Sequence, residues 1–136
     1  MAIPYLTFHH LGLAVKQPQQ AKAFVSALGY RIGETVFDPE QNVFSTLCFH
    51  ETDPAIEILW PGETKGPITD LPRRHPSGII YHLCYETGDL TATLAKLEED
   101  GNRVICISPP KPAPLFGSRK VSFYNVIGIG LIEILS

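Results

Sequence analysis

The sequence has few cysteines, and no two of them stand at a metal-binding or redox spacing. Its three cysteines are Cys48, Cys84 and Cys106, and each belongs to a run of strand-forming residues. An odd number without a CxxC spacing argues against both a disulfide framework and a thiol nucleophile. We therefore expect all three cysteines to be small, buried core residues, kept reduced in the cytoplasm.

Charge and long apolar runs are also scarce. Only 18% of the 136 residues are charged and the net charge is −3, so nothing in the composition favours a nucleic acid or a membrane surface as partner. No apolar run reaches the length that spans a bilayer, and the start MAIPYLTFHH lacks the basic region of a signal peptide. With 44% hydrophobic residues, the chain is expected to be globular and soluble.

What the sequence does contain is one tetrapeptide twice, IEIL, at residues 56–59 and 132–135. Successive side chains of a strand point to opposite faces, so Glu57 and Glu133 each lie opposite two isoleucines. A single copy would indicate only an amphipathic strand with its glutamate in water. Two copies indicate that the surrounding sequence is repeated as well.

The residues before each copy do repeat. The stretch HLGLAVKQPQQAKAFVSALGYRI, which begins at His10, aligns without a gap with HLCYETGDLTATLAKLEEDGNRV, which begins at His82. Each half therefore contains a histidine, a helix, a glycine, strands and a glutamate in the same order. This shared order indicates an internal duplication.

Hydrophobic periodicity predicts the same elements in both halves. In the first helix Phe24, Val25 and Leu28 form the expected apolar stripe, and Asp89 is the expected N-cap of the second helix. The Pro-rich stretch 108–118 is expected to be a loop. The first half is predicted as strand 6–15, helix 18–28 and strands near 30–37, 43–50 and 55–60. The second half is predicted as strand 79–86, helix 89–100 and strands near 103–107, 119–126 and 130–135.

These elements predict an α+β fold of two tandem βαβββ modules whose curved mixed sheets enclose a metal-binding cavity. We expect a single domain over residues 1–136. Module one covers about 5–60, a linker rich in proline and glycine covers 61–78, and module two covers about 79–136.

The histidine and glutamate of each module are candidate metal ligands. His10 and His82 stand on the first strands, and the glutamates stand on the last strands. If these strands are neighbours in each sheet, two imidazoles and two carboxylates converge, which is costly without a cation. His9 is the alternative to His10, and the repeat favours His10. We predict one divalent ion (Zn, Ni, Co, Mn or Fe) with open positions for water or substrate.

The motifs HHLGLAV, IEILWP, YHLCYE and GIGLIEIL, in this order, resemble the metal-ligand motifs of the vicinal oxygen chelate superfamily. That superfamily includes glyoxalase I, methylmalonyl-CoA epimerase, extradiol dioxygenases and metal-free bleomycin-resistance proteins. The resemblance implies the metal ligands His10, Glu57, His82 and Glu133. The segment PAPLFGSRKVSFY, followed by GLIEIL, is most similar to the epimerase-like branch.

The chain departs from both enzyme branches at specific positions. Epimerases of that branch typically have glutamine where this chain has Glu57. They also carry a second catalytic glutamate where it has Ser45, or Thr46 if the alignment shifts by one residue. Glyoxalase I has the His, Glu, His, Glu pattern, but its glutathione-binding Arg and Asn correspond to Ala14 and Pro61.

From site and resemblance together we predict a metal-dependent isomerase, epimerase or lyase, similar to methylmalonyl-CoA epimerase, that removes a proton alpha to a carbonyl. The substrate class is an acyl-CoA, another thioester or a 2-oxo compound. Glu133 is the candidate catalytic base and Glu57 the alternative. A glyoxalase I-type lactoylglutathione lyase and a non-catalytic binding or resistance protein are the competing hypotheses. A fourth ligand argues against a non-haem iron dioxygenase.

Substrate contacts are assigned to Ser45, Trp60, Phe116 and Arg119. Arg119 suits a substrate carboxylate or phosphate. The binding-protein hypothesis instead needs aromatic walls, for which Phe44, Phe49, Tyr124, Trp60 and Phe116 are the candidates. A homodimer is left open.

Overall fold

The structure, a computed structural model, describes Ile3 and residues 6–136. Residue 5, where module one was expected to begin, lies outside the described residues. Within them the chain is α+β, and no helix there is long and apolar enough to cross a membrane. The strands are β1 (Leu6–Ala14), β2 (Arg31–Asp38), β3 (Val43–Phe49), β4 (Ala55–Pro61), β5 (Ile79–Thr87), β6 (Val104–Pro112), β7 (Lys120–Val126) and β8 (Gly130–Leu135). The helices are α1 (Gln19–Ala27), α2 (Asp70–Arg74) and α3 (Leu90–Glu99).

The chain divides into two compact units, and the division falls inside β1. The first unit is His10–Tyr81, and the second contains His82–Ser136 together with Ile3 and residues 6–9. The four strands of the first unit have the order β2-β3-β4-β1. In this sheet β1 and β4 are parallel, and the other pairs are antiparallel. The first and last strands of this unit are therefore neighbours, which is the condition that the candidate metal site required.

The sheet of the first unit has two faces of different character. On one, Val25 of α1 packs against Cys48 and Ile58, and we call this the helix face. Because side chains alternate along a strand, Glu57 points to the other side, which we call the carboxylate face. Leu59 lies on that face and packs against Val43 and Ile68.

Helix α1 buries a narrower stripe than the sequence predicts. Val25 is 1% exposed, but Phe24 and Leu28 are 61% and 51% exposed, so the predicted stripe is wrong at these two positions. The buried face follows Ala21 and Val25, which are four residues apart on the same side of the helix. The helix ends as expected, because Gly29 adopts a positive φ of 95° there.

The stretch 61–78, predicted as a linker, contains structure of its own. It contains helix α2. Ile68, which precedes this helix, and Leu71, which belongs to it, pack on the carboxylate face of the first unit. The Pro and Gly content identified an irregular connection but not its apolar anchors. The segment therefore covers part of the sheet as well as connecting two strands.

The second unit repeats this plan with the strand order β5-β8-β7-β6. Strands β5 and β8 are parallel, as β1 and β4 are in the first unit. Asp89 is confirmed as the N-cap of α3, because its side chain accepts a hydrogen bond of 3.0 Å from the Ala92 amide. The carboxylate face of this unit, on which Glu133 lies, carries an apolar cluster of Cys84, Ala113, Val121 and Leu135.

Strand β6 continues where a loop was expected. It runs through Pro110 and ends at Pro112, with register shifts around Ser108, and a single 3-10 turn follows at Pro114–Phe116. Proline cannot donate to a sheet, but β6 is the last strand in the order of its unit, so its outer edge needs no donors there. Cys106 on this strand is exposed, against the expectation that all three cysteines are core residues.

Candidate metal and catalytic site

The first candidate pair joins β1 to β4. The register partner of Glu57 on the parallel strand β1 is Gly12, and His10 lies two residues earlier on the same face. The Nε2 atom of His10 is 3.1 Å from Oε1 of Glu57. Both residues are buried, with exposed fractions of 0% and 5%. The ring of the neighbouring His9 lies edge-on to the Phe116 ring, with the ring centroids 5.7 Å apart.

The second candidate pair has the same construction. The register partner of Glu133 on the parallel strand β5 is Cys84, and His82 again lies two residues earlier. The Nε2 atom of His82 is 3.3 Å from Oε1 of Glu133. The exposed fractions of these two residues are 2% and 4%. Each unit thus buries one imidazole and one carboxylate in contact.

Ser45 and Thr46 lie on opposite faces of β3. Antiparallel partners share a face, and Leu47 pairs with Glu57 while Ser45 pairs with Leu59. Ser45 is therefore on the carboxylate face. Thr46 is on the helix face, where its hydroxyl donates to the Gly33 carbonyl at 2.8 Å. Of the two alternatives in the alignment, only Ser45 faces the same way as Glu57.

The structure does not bring Trp60 to the carboxylate face. Trp60 packs in the helix-face core of the first unit, stacked on Phe44 with ring centroids 5.9 Å apart and with the Lys22 ammonium over its ring. Strand alternation accounts for this, since Trp60 is three residues beyond Glu57. Tyr124 likewise pairs with Ile132, the neighbour of Glu133 that points to the other face. Phe49 is 42% exposed at the end of β3.

Two other predicted substrate contacts lie on the carboxylate face of the second unit. Phe116 packs against the cluster that contains Cys84 and Leu135. The Arg119 guanidinium donates to the Glu86 carboxylate at 3.0 Å, and both side chains are partly exposed. Arg119 is therefore held by an acidic partner in this unit.

Phe123 is a site residue that the sequence reasoning missed. It is the cross-strand partner of Glu133, and its ring meets the His82 ring edge-on with centroids 5.8 Å apart. The internal repeat could have identified it, because the corresponding partner of Glu57 is Leu47. Phe123 restricts the orientation of the imidazole from one side.

Comparison with known proteins identifies the family. A family model described as the Glyoxalase/Bleomycin resistance protein/Dioxygenase superfamily matches residues 9–123. The chain belongs to this superfamily. The vicinal oxygen chelate resemblance of its motifs is thereby confirmed.

Several relatives and solved structures are similar to this superfamily member. It is 33% identical over 104 residues to the ethylmalonyl-CoA/methylmalonyl-CoA epimerase of Cereibacter sphaeroides, which is 76% of this chain and 77% of that protein. The methylmalonyl-CoA epimerase of Mycobacterium tuberculosis superposes with a TM-score of 0.77 at 19% identity, over 99% of this chain and 91% of that chain. A Streptomyces coelicolor methylmalonyl-CoA epimerase variant, in complex with 2-nitronate-propionyl-CoA, gives 0.73 at 18% identity over 96% of each chain. At sequence identities of 19% and 18%, the similarity to these two structures shows a shared fold and nothing more.

Each His–Glu pair fits two adjacent ligand positions of a divalent ion. Ligand atoms about 2.1 Å from one ion and at right angles around it are about 3.0 Å apart. The observed separations of 3.1 Å and 3.3 Å agree with this spacing. Imidazole nitrogen and carboxylate oxygen are also donors that Zn and other first-row metals accept.

Proposed function

We propose that His10, Glu57, His82 and Glu133 bind one divalent metal ion, and that the protein is an acyl-CoA epimerase or isomerase built around it. The observation that carries this proposal is the duplicated buried pair, with nitrogen–oxygen separations of 3.1 Å and 3.3 Å. Two buried carboxylates and two buried imidazoles are costly in a core without a cation to share. Zn, Ni, Co, Mn and Fe all suit this donor set.

The ion, when bound, supplies a Lewis acid that lowers the cost of negative charge on a substrate carbonyl oxygen. An ion held by these four residues would bind oxygens of the substrate at its remaining open positions. The remaining chemistry is proton transfer, which the side chains of the chain perform. The Glu133 carboxylate accepts the proton alpha to the carbonyl, acting as general base.

Inversion at the alpha carbon needs a second group that delivers a proton to the opposite face. We assign this role to Glu57, whose carboxylate would take a proton from solvent on the oxygen that does not hold the metal and deliver it to the alpha carbon. The hydroxyl of Ser45 is not an acid or base at neutral pH. In an isomerase, by contrast, Glu133 alone suffices, since it returns the same proton to an adjacent carbon.

The substrate class follows from the relatives. The Cereibacter sphaeroides relative is named an epimerase of ethylmalonyl-CoA and methylmalonyl-CoA. We therefore propose a thioester of coenzyme A with an acidic C–H between two carbonyl groups, such as a substituted malonyl-CoA. A cytoplasmic location and a homodimer stay predictions.

A glyoxalase-type lyase is the second candidate. The specific observation in its favour is Glu57, because a carboxylate at the second ligand position is the glyoxalase I pattern. Such a lyase would use the same metal and the same base on a hemithioacetal. A superfamily member that only binds or sequesters a small ligand is the remaining alternative.

The deciding experiment is deuterium exchange from solvent into methylmalonyl-CoA and ethylmalonyl-CoA, followed by mass spectrometry. We expect exchange at the alpha carbon with metal-loaded protein and little exchange after treatment with a chelator. Turnover of the methylglyoxal–glutathione hemithioacetal without thioester exchange would establish the lyase instead. Tight binding of an aromatic ligand with neither reaction would favour the binding protein.

A further inference from the structure

The two units differ at one position on their carboxylate faces. Ser45 pairs with Leu59 across β3 and β4, and Val121 pairs with Leu135 across β7 and β8. These are corresponding positions of the repeat. Val121 belongs to the apolar cluster of the second unit, whereas the first unit places a hydroxyl there. The duplicated position is therefore polar in one unit only.

The Ser45 hydroxyl has no hydrogen-bond partner among the described residues, although Ser45 is only 4% exposed. Its Oγ atom is nevertheless not one of the fully buried polar atoms that lack a partner, so it reaches solvent through the small exposed area that remains. Two other buried hydroxyls do have protein partners. Thr46 donates to the Gly33 carbonyl at 2.8 Å, and Ser122 of β7 donates to the Ile134 carbonyl at 3.5 Å.

The position of Ser45 suits contact with a ligand that reaches Glu57. Ser45 is diagonal to Glu57 across the strand pair, so their Cβ atoms are about 7 Å apart. On its other side are the apolar side chains of Val43 and Leu59, which Ile68 covers. A group bound near Glu57 thus meets one hydroxyl donor and an otherwise apolar surface.

We propose that the Ser45 hydroxyl donates a hydrogen bond to the free carboxylate of a malonyl-type thioester and so selects this substrate over simple acyl thioesters. This inference rests on the proposed function. A carboxylate is the fitting acceptor, because a hydrogen bond to a charged acceptor is stronger than one to a neutral acceptor. Val121, at the corresponding position, cannot provide such a contact.

The test compares Ser45→Ala and Ser45→Thr with Ser122→Ala, a matched change of a buried serine on the opposite face. Dissociation constants for methylmalonyl-CoA and propionyl-CoA are measured by calorimetry with metal-loaded protein. We expect Ser45→Ala to weaken methylmalonyl-CoA binding by about tenfold or more and to leave propionyl-CoA binding unchanged. Ser45→Thr should restore the preference, since it keeps the hydroxyl. If Ser45→Ala loses affinity equally for both thioesters, or loses affinity for neither, the inference is overturned.

Thermal unfolding without ligand tests the hydroxyl independently of any activity. Removing a hydroxyl that lacks a partner should leave the melting temperature of Ser45→Ala unchanged or raised, whereas Ser122→Ala should lower it. A drop in Ser45→Ala as large as in Ser122→Ala means that Ser45 has a structural partner, and the inference fails alone. If the parent protein binds neither thioester, the proposed function fails and this inference with it.

Discussion

Gly12 lies directly beside Glu57 on the adjoining parallel strand, and in the second unit the corresponding neighbour of Glu133 is Cys84. In both units the histidine of the pair stands two residues before that neighbour and shares its face. Gly12 has no side chain at the position where the second unit has the Cys84 thiol. The two halves of the candidate site are therefore alike in their ligands and unlike in their packing.

Substitution of Gly12 should disturb the metal site without touching a ligand. We expect Gly12→Val to lower the affinity for a divalent ion by about tenfold, as loss of an outer-shell partner does, because the branched side chain competes with the Glu57 carboxylate for space. Titration of the metal-free protein with Zn measures this. Gly88→Val is the control, since a Cβ added at Gly88 meets no atom within 4 Å. Equal affinity of the two variants would contradict the expected crowding at Gly12.

The strand pairings that carry the candidate site could be predicted from the sequence, because they depend on a repeated pattern. The duplicated IEIL and the gap-free alignment from His10 and His82 located the candidate ligands on the first and last strands, and these strands are neighbours in each sheet. Alternation along β4 would also have excluded Trp60 from the carboxylate face. Phe123 was missed because it is neither a ligand nor an unusual residue, and only pairing with Glu133 gives it a role.

Other parts of the structure depend on tertiary contacts that no local pattern contains. Which residues of α1 are buried depends on the sheet surface against which the helix packs. Phe24 and Leu28 do not face that surface and remain exposed despite their hydrophobicity. Proline is excluded from strands in the interior of a sheet but is tolerated in an edge strand. The full length of β6 could therefore be predicted only if its position at the edge were already known. Ile68 anchors a segment whose composition alone predicts an unstructured connection.

Loss of one histidine should release the metal and weaken the fold. His82→Ala removes a ligand and leaves Glu133 buried, so the metal content should fall by about tenfold or more and the folded state should lose about 3–5 kcal/mol. Elemental analysis and chemical unfolding measure the two effects. His75→Ala is the matched control, because His75 is exposed. Full metal occupancy in His82→Ala would contradict the ligand assignment.

Reactivity of the cysteines should follow their burial. Cys106 is exposed, whereas Cys48 and Cys84 are buried, and burial raises the pKa of the Cys48 thiol above its usual value. The thiolate is the reactive form, so a raised pKa and lack of access both slow alkylation. We expect iodoacetamide at pH 8 to add one group per native chain and three after denaturation, as read by mass spectrometry. Cys106→Ser should abolish the native label, and rapid labelling of Cys48 would contradict its burial.

Changing each glutamate to glutamine should distinguish the roles of Glu133 and Glu57. Glutamine keeps the size of the side chain and an oxygen ligand but cannot act as a base. Glu133→Gln should reduce deuterium exchange into the methylmalonyl-CoA epimer whose alpha proton faces Glu133 by about a hundredfold or more, with the metal retained, because general-base catalysis contributes on that scale. In Glu57→Gln, Glu133 still abstracts the proton, so exchange continues for one epimer while inversion is lost. Exchange is followed by mass spectrometry and inversion by an assay specific for one epimer. Equal loss of exchange and inversion in Glu57→Gln would show that Glu57 is not the second proton donor, and undiminished exchange in Glu133→Gln would remove Glu133 as the base.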